Sequence, residues 1–260
     1  MSLLATGYLQ LTGGKVEYRW IEPQHPGLST LVLLHEGLGC VSMWRDFPDQ
    51  LAEATGCGVF AYSRLGYGGS DPVPLPRPLT YMHDEARILL PELLMQLPFD
   101  RYSLIGHSDG ASIAIVYAGS VADNALDGVV LIAPHVFCED LSIDSIKKVK
   151  ALYEQGELKR RLSKYHGINV DCAFWGWNSA WLDDAFKNWN LEQYLPEISV
   201  PGLVIQGVDD EYGTLAQVTA IQRQYGGALE VQVIEKCGHA PHREATQQTL
   251  NLIHHFQNRE

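Results

Sequence analysis

The chain has 260 residues, of which 46% are hydrophobic and 19% charged. That length suits one large domain that carries an insertion, and this balance allows a sizeable buried core, which argues against disorder. The formal net charge of −12 repels phosphate backbones, which argues against nucleic acid as a partner.

The cysteines and the N-terminus indicate a cytoplasmic protein. The cysteines are scattered and never form a CxxC pair, so the sequence predicts neither a zinc site nor a disulfide framework; they are Cys40, Cys57, Cys138, Cys172 and Cys237. The first residues, MSLLATGYLQLTGG, lack a basic stretch followed by a long apolar one, and no apolar run approaches the ~18 residues of a membrane span. We therefore expect a soluble protein that is neither exported nor bound to a membrane.

Apolar patterns predict the strands in chain order. The opening YLQLTGGKVEYRW alternates around Gly13 and Gly14, which is typical of a β-hairpin. Solidly apolar runs follow at 30–34, 58–62, 102–106, 128–133 and 202–207, and a final run spans 229–234. Runs without alternation suit strands that are buried on both faces of a parallel sheet.

Helical patterns lie between these runs, at 84–97, 110–122, 215–225 and 249–257. Strands that alternate with helices are the sequence sign of an α/β fold. The sequence therefore predicts a mostly parallel central sheet of about eight strands with helices on both faces.

A helical insertion is predicted near the middle of the chain. From about residue 134 to 196 no convincing strand occurs, and helical periodicity dominates. This places 1–133 and 197–260 in one core domain and 134–196 in a helical subdomain. The subdomain contains FWGWNSAWL, with Trp175, Trp177 and Trp181. Either these rings hold the subdomain together, or some of them line a substrate pocket.

A serine lies between two glycines at the end of one predicted strand. In LIGHSDGAS the order is Gly106, Ser108 and Gly110, and a helical pattern follows directly. The glycines let strand and helix pack closely, so that the Ser108 hydroxyl stands out from the carboxyl end of the sheet. The helix N-terminus adds partial positive charge and free N–H groups. In this context the pattern predicts a nucleophile.

A serine nucleophile needs a base, and the base needs an orienting acid. In this kind of fold they follow in the order Ser, Asp or Glu, His. Three acids follow the strand 202–207 and two histidines follow the next strand; they are Asp209, Asp210, Glu211, His239 and His242. Both loops leave the carboxyl ends of strands, so the order and the topology fit a triad.

The chain resembles an α/β-hydrolase of the serine type. The resemblance is carried by GHSDG, GVDD and CGHAPH, together with HEGLG (35–39) and SRLGYGGSDP (63–72), and it extends over essentially the whole chain. It implies an α/β-hydrolase fold in which 134–196 forms a helical cap. It also implies Ser108 as nucleophile and His239, directly after a glycine, as general base. The acid usually stands three positions after the strand-ending glycine, which favours Asp210 and leaves Asp209 as a rival.

The resemblance further implies an oxyanion hole built from two backbone N–H groups. One belongs to Asp109, the residue after the nucleophile. The other comes from HEGLG, where Gly37 is favoured and Leu38 is the alternative. We expect His35 to order this loop, and the carboxylate of Asp109 to favour the start of the following helix.

Basic and aromatic residues bear on the substrate. The insertion carries the basic residues Lys147, Lys148, Lys150, Lys159, Arg160, Arg161 and Lys164. Either they form a solvated face, or one of them or Arg64 meets a substrate carboxylate. The candidate substrate contacts are Arg64, Trp175, Trp177, Trp181 and His242. We expect a small to medium, apolar or aryl ester as substrate, and a mechanism that needs no metal and no organic cofactor.

Three functions remain open on these residues. The first is hydrolysis of a carboxylic ester. The second is cleavage of a carbon–carbon bond in ring-cleavage dienoates, which similar family members perform with the same triad. The third is a ligand-binding relative that does not turn over. Dehalogenation is disfavoured, because that branch has Asp where this chain has Ser108. The sequence does not decide the oligomeric state, and a homo-oligomer is not excluded.

Overall fold

A central sheet organises the chain. The computed structural model describes residues 3–25 and 27–259. Its strands are β1 (Thr6–Leu11), β2 (Gly14–Ile21), β3 (Thr30–Leu34), β4 (Gly58–Tyr62), β5 (Tyr102–His107), β6 (Leu126–Ile132), β7 (Gly202–Gly207) and β8 (Leu229–Ile234). They form one eight-stranded sheet in the order β1-β2-β4-β3-β5-β6-β7-β8. The predicted number of strands is confirmed.

The sheet is parallel except at one end. Strands β1 and β2 form the predicted antiparallel hairpin, and β2 also pairs antiparallel with β4. From β4 to β8 every pairing is parallel, so the carboxyl ends of these strands lie along one edge. All residues of β3, β4, β5 and β7 are buried, which explains their unbroken apolar runs. Strand β8 is partly exposed because it has a neighbour on one side only.

Helices cover both faces of the sheet, as predicted. Alternate residues of β3 face opposite sides. On one side, Leu31 and Leu33 belong to a core shared with α1 (Phe47–Thr55) and α10 (Thr246–Gln257). On the other side, Val32 and Leu34 belong to a core shared with α4 (Asp109–Ala118) and α8 (Leu215–Gln224). Two short elements accompany them, a 3-10 turn at Val41–Trp44 and α9 at Pro241–Glu244.

The helix predicted at 84–97 is not regular. It begins earlier and consists of α2 (Tyr81–Asp84), a π-helical turn (Glu85–Leu89) and α3 (Leu90–Leu94). Pro91 lies in the first turn of α3. Because proline has no backbone N–H, the regular helical hydrogen bond to the carbonyl four residues earlier cannot form. The apolar periodicity located this segment, and the proline changed its hydrogen bonding.

A helical segment lies between β6 and β7. It contains α5 (Asp140–Glu154), α6 (Glu157–His166) and α7 (Val170–Trp181), with 3-10 turns at Gly167–Asn169, Asp184–Asn188 and Glu192–Glu197. Tyr153 of α5 stacks on Phe174 of α7, with ring centroids 3.5 Å apart. Asn169 donates to the carbonyl oxygens of Gly68 (3.1 Å) and Ser70 (2.6 Å), which ties the segment to the loop after β4. Within the described ranges, no helix has both the length and the apolar character to cross a membrane.

Candidate active site

Ser108 occupies a sharp corner between β5 and α4. Its backbone has φ 54° and ψ −118°, a conformation that L-residues rarely adopt. The corner depends on its flanking glycines. A Cβ on Gly106 would lie 2.3 Å from the carbonyl oxygen of Gly110, and a Cβ on Gly110 would lie 2.0 Å from that of Leu34. Any larger residue at either position would collide with backbone, so the close packing of strand and helix requires glycine.

His239 and Asp210 meet at this corner. The Nε2 atom of His239 lies 2.9 Å from the Oγ of Ser108, although 131 residues separate them. Its Nδ1 atom lies 2.9 and 2.8 Å from the two carboxylate oxygens of Asp210. Asp210 follows β7 and His239 follows β8, so parallel strands bring both loops to the same edge.

Asp210 is held as a carboxylate. Gln206 donates to its Oδ2 (2.7 Å), and the backbone N–H groups of Tyr212 (2.7 Å) and Gly213 (3.2 Å) donate to its Oδ1. Burial opposes the charge, yet the hydrogen bonds from His239 and Tyr212 outweigh it and lower the pKa of Asp210 to about 2. The rival Asp209 is exposed, and its backbone N–H donates to Cys237. The structure therefore brings Asp210, and not Asp209, to the histidine.

Arg64 holds the loop that follows β3 through hydrogen bonds from its backbone and its side chain. The backbone N–H of Arg64 donates to Nε2 of His35 (3.1 Å), so the proton of this neutral imidazole is on Nδ1, which donates to the Glu36 carbonyl (2.7 Å). Burial and the adjacent guanidinium lower the pKa of His35 well below its usual value. The Arg64 guanidinium donates to the carbonyl oxygens of His35 and Glu36, and the residue is only 2% exposed. The Arg64 side chain therefore holds this loop, and the prediction that it meets a substrate carboxylate stays a prediction.

Gly37 lies in that loop beneath the indole of Trp177. A Cβ on Gly37 would lie 2.2 Å from Nε1 of Trp177, so the loop and α7 touch at a point where no side chain fits. The carbonyl of Leu38, the alternative residue for the oxyanion hole, accepts a hydrogen bond from His166 of α6 (2.9 Å). The helical segment therefore contacts the backbone on which the oxyanion hole was predicted.

Asp109 connects the nucleophile corner to the helical segment. Asp109 is the first residue of α4, where a carboxylate favours the helix start, as expected. This carboxylate is fully buried and accepts hydrogen bonds from Tyr81 and from Nε1 of Trp181 (3.3 Å). Burial raises the pKa of Asp109, and the nearby charge of Arg64 partly offsets that rise. Trp181 is 2% exposed and ties α7 to α4, and the prediction that it contacts substrate stays a prediction.

Two other candidate substrate contacts pack against neighbouring aromatic rings. Trp175 packs edge-on against Tyr153 and Phe174 inside the helical segment. His242 of α9 is 3% exposed, and its ring packs against Trp44. The prediction that these side chains meet the substrate stays a prediction.

The imidazole of His107 contacts the backbone of His239. Nε2 of His107 donates to the backbone carbonyl of His239 (2.7 Å), and its Nδ1 lies 3.6 Å from the carboxylate of Glu36. Partial burial disfavours the charged carboxylate of Glu36 and by itself would raise its pKa. The interaction with His107 is stronger and keeps the pKa of Glu36 well below its usual range. Sequence reasoning missed this pair, although His107 directly precedes the nucleophile and Glu36 stands where the family often has glycine.

His135 was also missed. Its ring lies 5.6 Å from that of His239 and 5.4 Å from Trp181. Burial lowers the pKa of His135 to about 3, so its ring is neutral where it lies beside His239 and Trp181. His135 comes three residues after the end of β6, and a search of all carboxyl strand ends for polar residues would have found it.

A cavity of about 380 Å³ opens beside the triad, between the helical segment and the core loops. Leu38 and Tyr212 are among its lining residues, and the Tyr212 ring lies 4.7 Å from that of His239. No Asp or Glu is among the described residues that line it. The cavity is therefore a candidate binding space next to the reacting serine.

Known proteins share this architecture. A family model described as "Alpha/beta hydrolase family" matches residues 31–252. The chain is 23% identical to a proline iminopeptidase of Lactobacillus helveticus, with 95% of each chain covered. Among solved structures, an esterase from Exiguobacterium antarcticum superposes with a TM-score of 0.75 at 20% identity, covering 97% of this chain and 99% of that one. An enol-lactonase from Burkholderia xenovorans gives 0.74 at 20% identity, covering 97% and 100%.

Proposed function

The chain belongs to the alpha/beta hydrolase family and is a hydrolase, and on that premise we propose that it cleaves carboxylic esters through an acyl-enzyme formed on Ser108. The observation that carries the proposal is the unbroken series of hydrogen bonds from Ser108 to His239 (2.9 Å) and from His239 to Asp210 (2.8 Å). A serine hydroxyl becomes a useful nucleophile when an oriented base takes its proton, and this series supplies both the base and its orientation.

The chemistry follows from these contacts. As the Oγ of Ser108 attacks the ester carbonyl, its proton passes to Nε2 of His239, and Asp210 stabilises the imidazolium. His239 then gives the proton to the leaving alcohol, and a water molecule, activated by the same ring, releases the acid. A positioned base of this kind contributes roughly 10²–10⁴ in rate.

The charge that develops on the carbonyl oxygen needs donors. We assign these to the backbone N–H groups of Asp109 and Gly37, each worth about 10²–10³ in rate. The support is indirect: Asp109 opens α4, where N–H groups lie free of helical partners, and Gly37 lies at the end of the neighbouring strand.

We further propose that 134–196 acts as a cap over a core formed by 1–133 and 197–260. Its contacts support this assignment, because Trp177 covers Gly37, Trp181 bonds Asp109, and His166 bonds Leu38. All three contacted residues lie at the carboxyl ends of β3 and β5, where ligands bind in folds of this class.

The proposal favours esters over peptides. A proline iminopeptidase, as its name says, acts at an amino-terminal residue, whose ammonium group needs carboxylate partners. The cavity beside the triad has no carboxylate among its described lining residues and carries Arg161, Lys164, Arg45 and Arg243 instead. Such a lining repels an ammonium group.

The test combines labelling with turnover. A fluorophosphonate should label the wild-type protein once, label Ser179→Ala (an exposed serine of α7) equally, and fail to label Ser108→Ala. Multiple turnover of p-nitrophenyl butyrate should accompany labelling. Labelling that persists in Ser108→Ala would contradict the assignment of the nucleophile, and labelling without turnover would indicate a binding protein. Prolyl p-nitroanilide and a ring-cleavage dienoate in the same panel separate peptide and carbon–carbon cleavage from ester hydrolysis.

A further inference from the structure

The cavity beside the triad has two different surfaces. Its apolar part comes from α5 and α6 and from the loop after β3, and consists of Leu38, Met43, Val149, Leu152, Leu158 and Leu162. Leu152 is 53% exposed, so part of this apolar surface is accessible to a ligand. The apolar surface suits a short aliphatic or aromatic chain.

The other surface is cationic. Arg45, Arg161, Lys164 and Arg243 line the same cavity, and they come from three separate parts of the chain. All four are exposed. Four positive charges around one cavity are unexpected in a chain with a formal net charge of −12.

These cations have no internal counter-charge. Within residues 3–25 and 27–259, no carboxylate forms an ion pair with any of the four. Four other basic residues of the segment do form ion pairs: Lys147 with Asp144, Lys150 with Glu154, Lys159 with Asp171 and Lys187 with Asp184, whereas Lys148 and Arg160 have none among the described residues. Cations are therefore left unpaired where they face the cavity, while several neighbours outside it are neutralised.

Two residues connect the cavity to the neighbourhood of Ser108. Leu38 directly follows Gly37, and Tyr212 lies against the ring of His239 with centroids 4.7 Å apart. A ligand in the cavity would therefore lie one side chain away from His239 while it meets the cations.

We infer that this cavity binds the anionic end of an amphipathic substrate, an ester whose acyl chain lies on the apolar surface and whose far end carries a carboxylate or a phosphate. The inference rests on the proposed ester hydrolysis and adds the substrate class. An exposed ion pair is worth little by itself, so selectivity arises from several cations acting together, and it must fall as salt screens them.

Matched substrates test the inference by activity. The monoester of adipic acid with p-nitrophenol has a free carboxylate, whereas its methyl ester has the same chain without the charge. We expect kcat/KM for the wild-type protein to favour the carboxylate by about tenfold or more at low salt, and the preference to shrink at about 0.5 M salt. A wild-type ratio of one or below overturns the inference and leaves ester hydrolysis intact.

A matched pair of variants locates the effect. Arg160 and Arg161 are consecutive, exposed residues of α6, but only Arg161 lines the cavity. Arg161→Gln and Arg160→Gln therefore change the net charge equally. We expect Arg161→Gln to lower the carboxylate-to-methyl-ester ratio by about three- to fivefold and Arg160→Gln to leave it within about 1.5-fold. Equal effects of the two variants would show that the overall electrostatic field of the protein causes the preference, and would overturn the assignment to this cavity.

Binding provides a readout that does not need turnover. In Ser108→Ala, octanoate and octyl phosphate should quench tryptophan fluorescence at concentrations at least about tenfold below those required for octanol. Tighter binding of either anion supports the inference, and the tighter of the two identifies the anionic group. Equal binding of all three overturns it. If the protein hydrolyses neither adipate ester, the proposed function fails while this measurement still decides what the cavity binds.

Discussion

The imidazole of His107 donates a hydrogen bond from Nε2 to the backbone carbonyl of His239, with the two atoms 2.7 Å apart. The residue before Ser108 thus holds the backbone of His239, the base that we propose for it, across 132 positions of sequence. The two rings are also neighbours, with centroids 5.1 Å apart. This contact holds the backbone of His239, while the hydrogen bonds to Asp210 hold its imidazole ring.

The role of His107 as a positioning residue can be tested by substitution. His107→Phe keeps a ring of similar size and loses the donor, so we expect kcat for p-nitrophenyl butyrate to fall about tenfold with little change in KM. His107→Gln carries an amide N–H that can reach the same carbonyl, and it should recover most of the loss. Equal rates for the two variants would show that packing alone matters at this position.

The neighbouring acids Asp210 and Asp209 offer a matched pair. Asp210→Asn preserves shape but removes the charge that stabilises the imidazolium and fixes its tautomer, so kcat should fall about 10⁴-fold. Asp209→Asn makes the same change on an exposed side chain and should leave kcat within about twofold. Steady-state kinetics on p-nitrophenyl butyrate distinguish them, and a large loss in Asp209→Asn would reverse the assignment.

Glycine can be required for lack of space or for its backbone dihedral angles, and Gly110 and Gly156 allow the two reasons to be tested separately. Gly110→Ala would place a Cβ 2.0 Å from the carbonyl oxygen of Leu34, so we expect a loss of more than about 3 kcal/mol in the free energy of unfolding, or no folded protein. Gly156 has φ 90° and no atom within 4 Å of a built Cβ. Gly156→Ala should therefore cost only about 1 kcal/mol, for the left-handed backbone. Urea unfolding measures both, and comparable losses would contradict the steric explanation.

Buried histidines should make the protein sensitive to acid. Burial lowers the pKa of His135 to about 3 and holds the pKa values of His35 and His242 well below 6.5. The unfolded chain takes up these protons at about pH 6.5 and the folded chain does not, so stability is lost as the pH falls. With its pKa at about 3, His135 accounts for about 2 kcal/mol of this loss between about pH 7 and about pH 5, and His35 and His242 add to it. Burial raises the pKa of Glu85 and Asp109, whose protonation in the folded state offsets part of this loss.

His242 is suited to testing that dependence, because its ring packs against aromatic neighbours including Trp44 and Phe47. In His242→Phe, the loss of unfolding free energy between about pH 7 and about pH 5 should be smaller than in the wild-type protein. Urea unfolding at several pH values gives both slopes. An unchanged slope would mean that His242 is protonated in the folded state.

Local patterns were sufficient to predict the sheet. Runs such as 31–34 and 202–205 are apolar at every position because both faces of those strands are buried, so consecutive residues must all be apolar. The order of Ser108, Asp210 and His239 could be predicted for a related reason: each follows a strand, and parallel strands deliver their carboxyl ends to one edge. The irregular helix around Pro91 was missed in detail, since a single absent N–H changes the hydrogen bonding without changing the apolar period.

The sequence by itself therefore determined the fold class, the core of the sheet and the residues that meet at Ser108, because these depend on periodicity and on the ends of strands. Only the tertiary structure decided what the side chains around them do. Arg64 holds a loop, Trp181 ties a helix to Asp109, and His107 supports a base far along the chain. Direction and partner depend on contacts between segments distant in sequence, and no local pattern encodes which way a buried side chain turns.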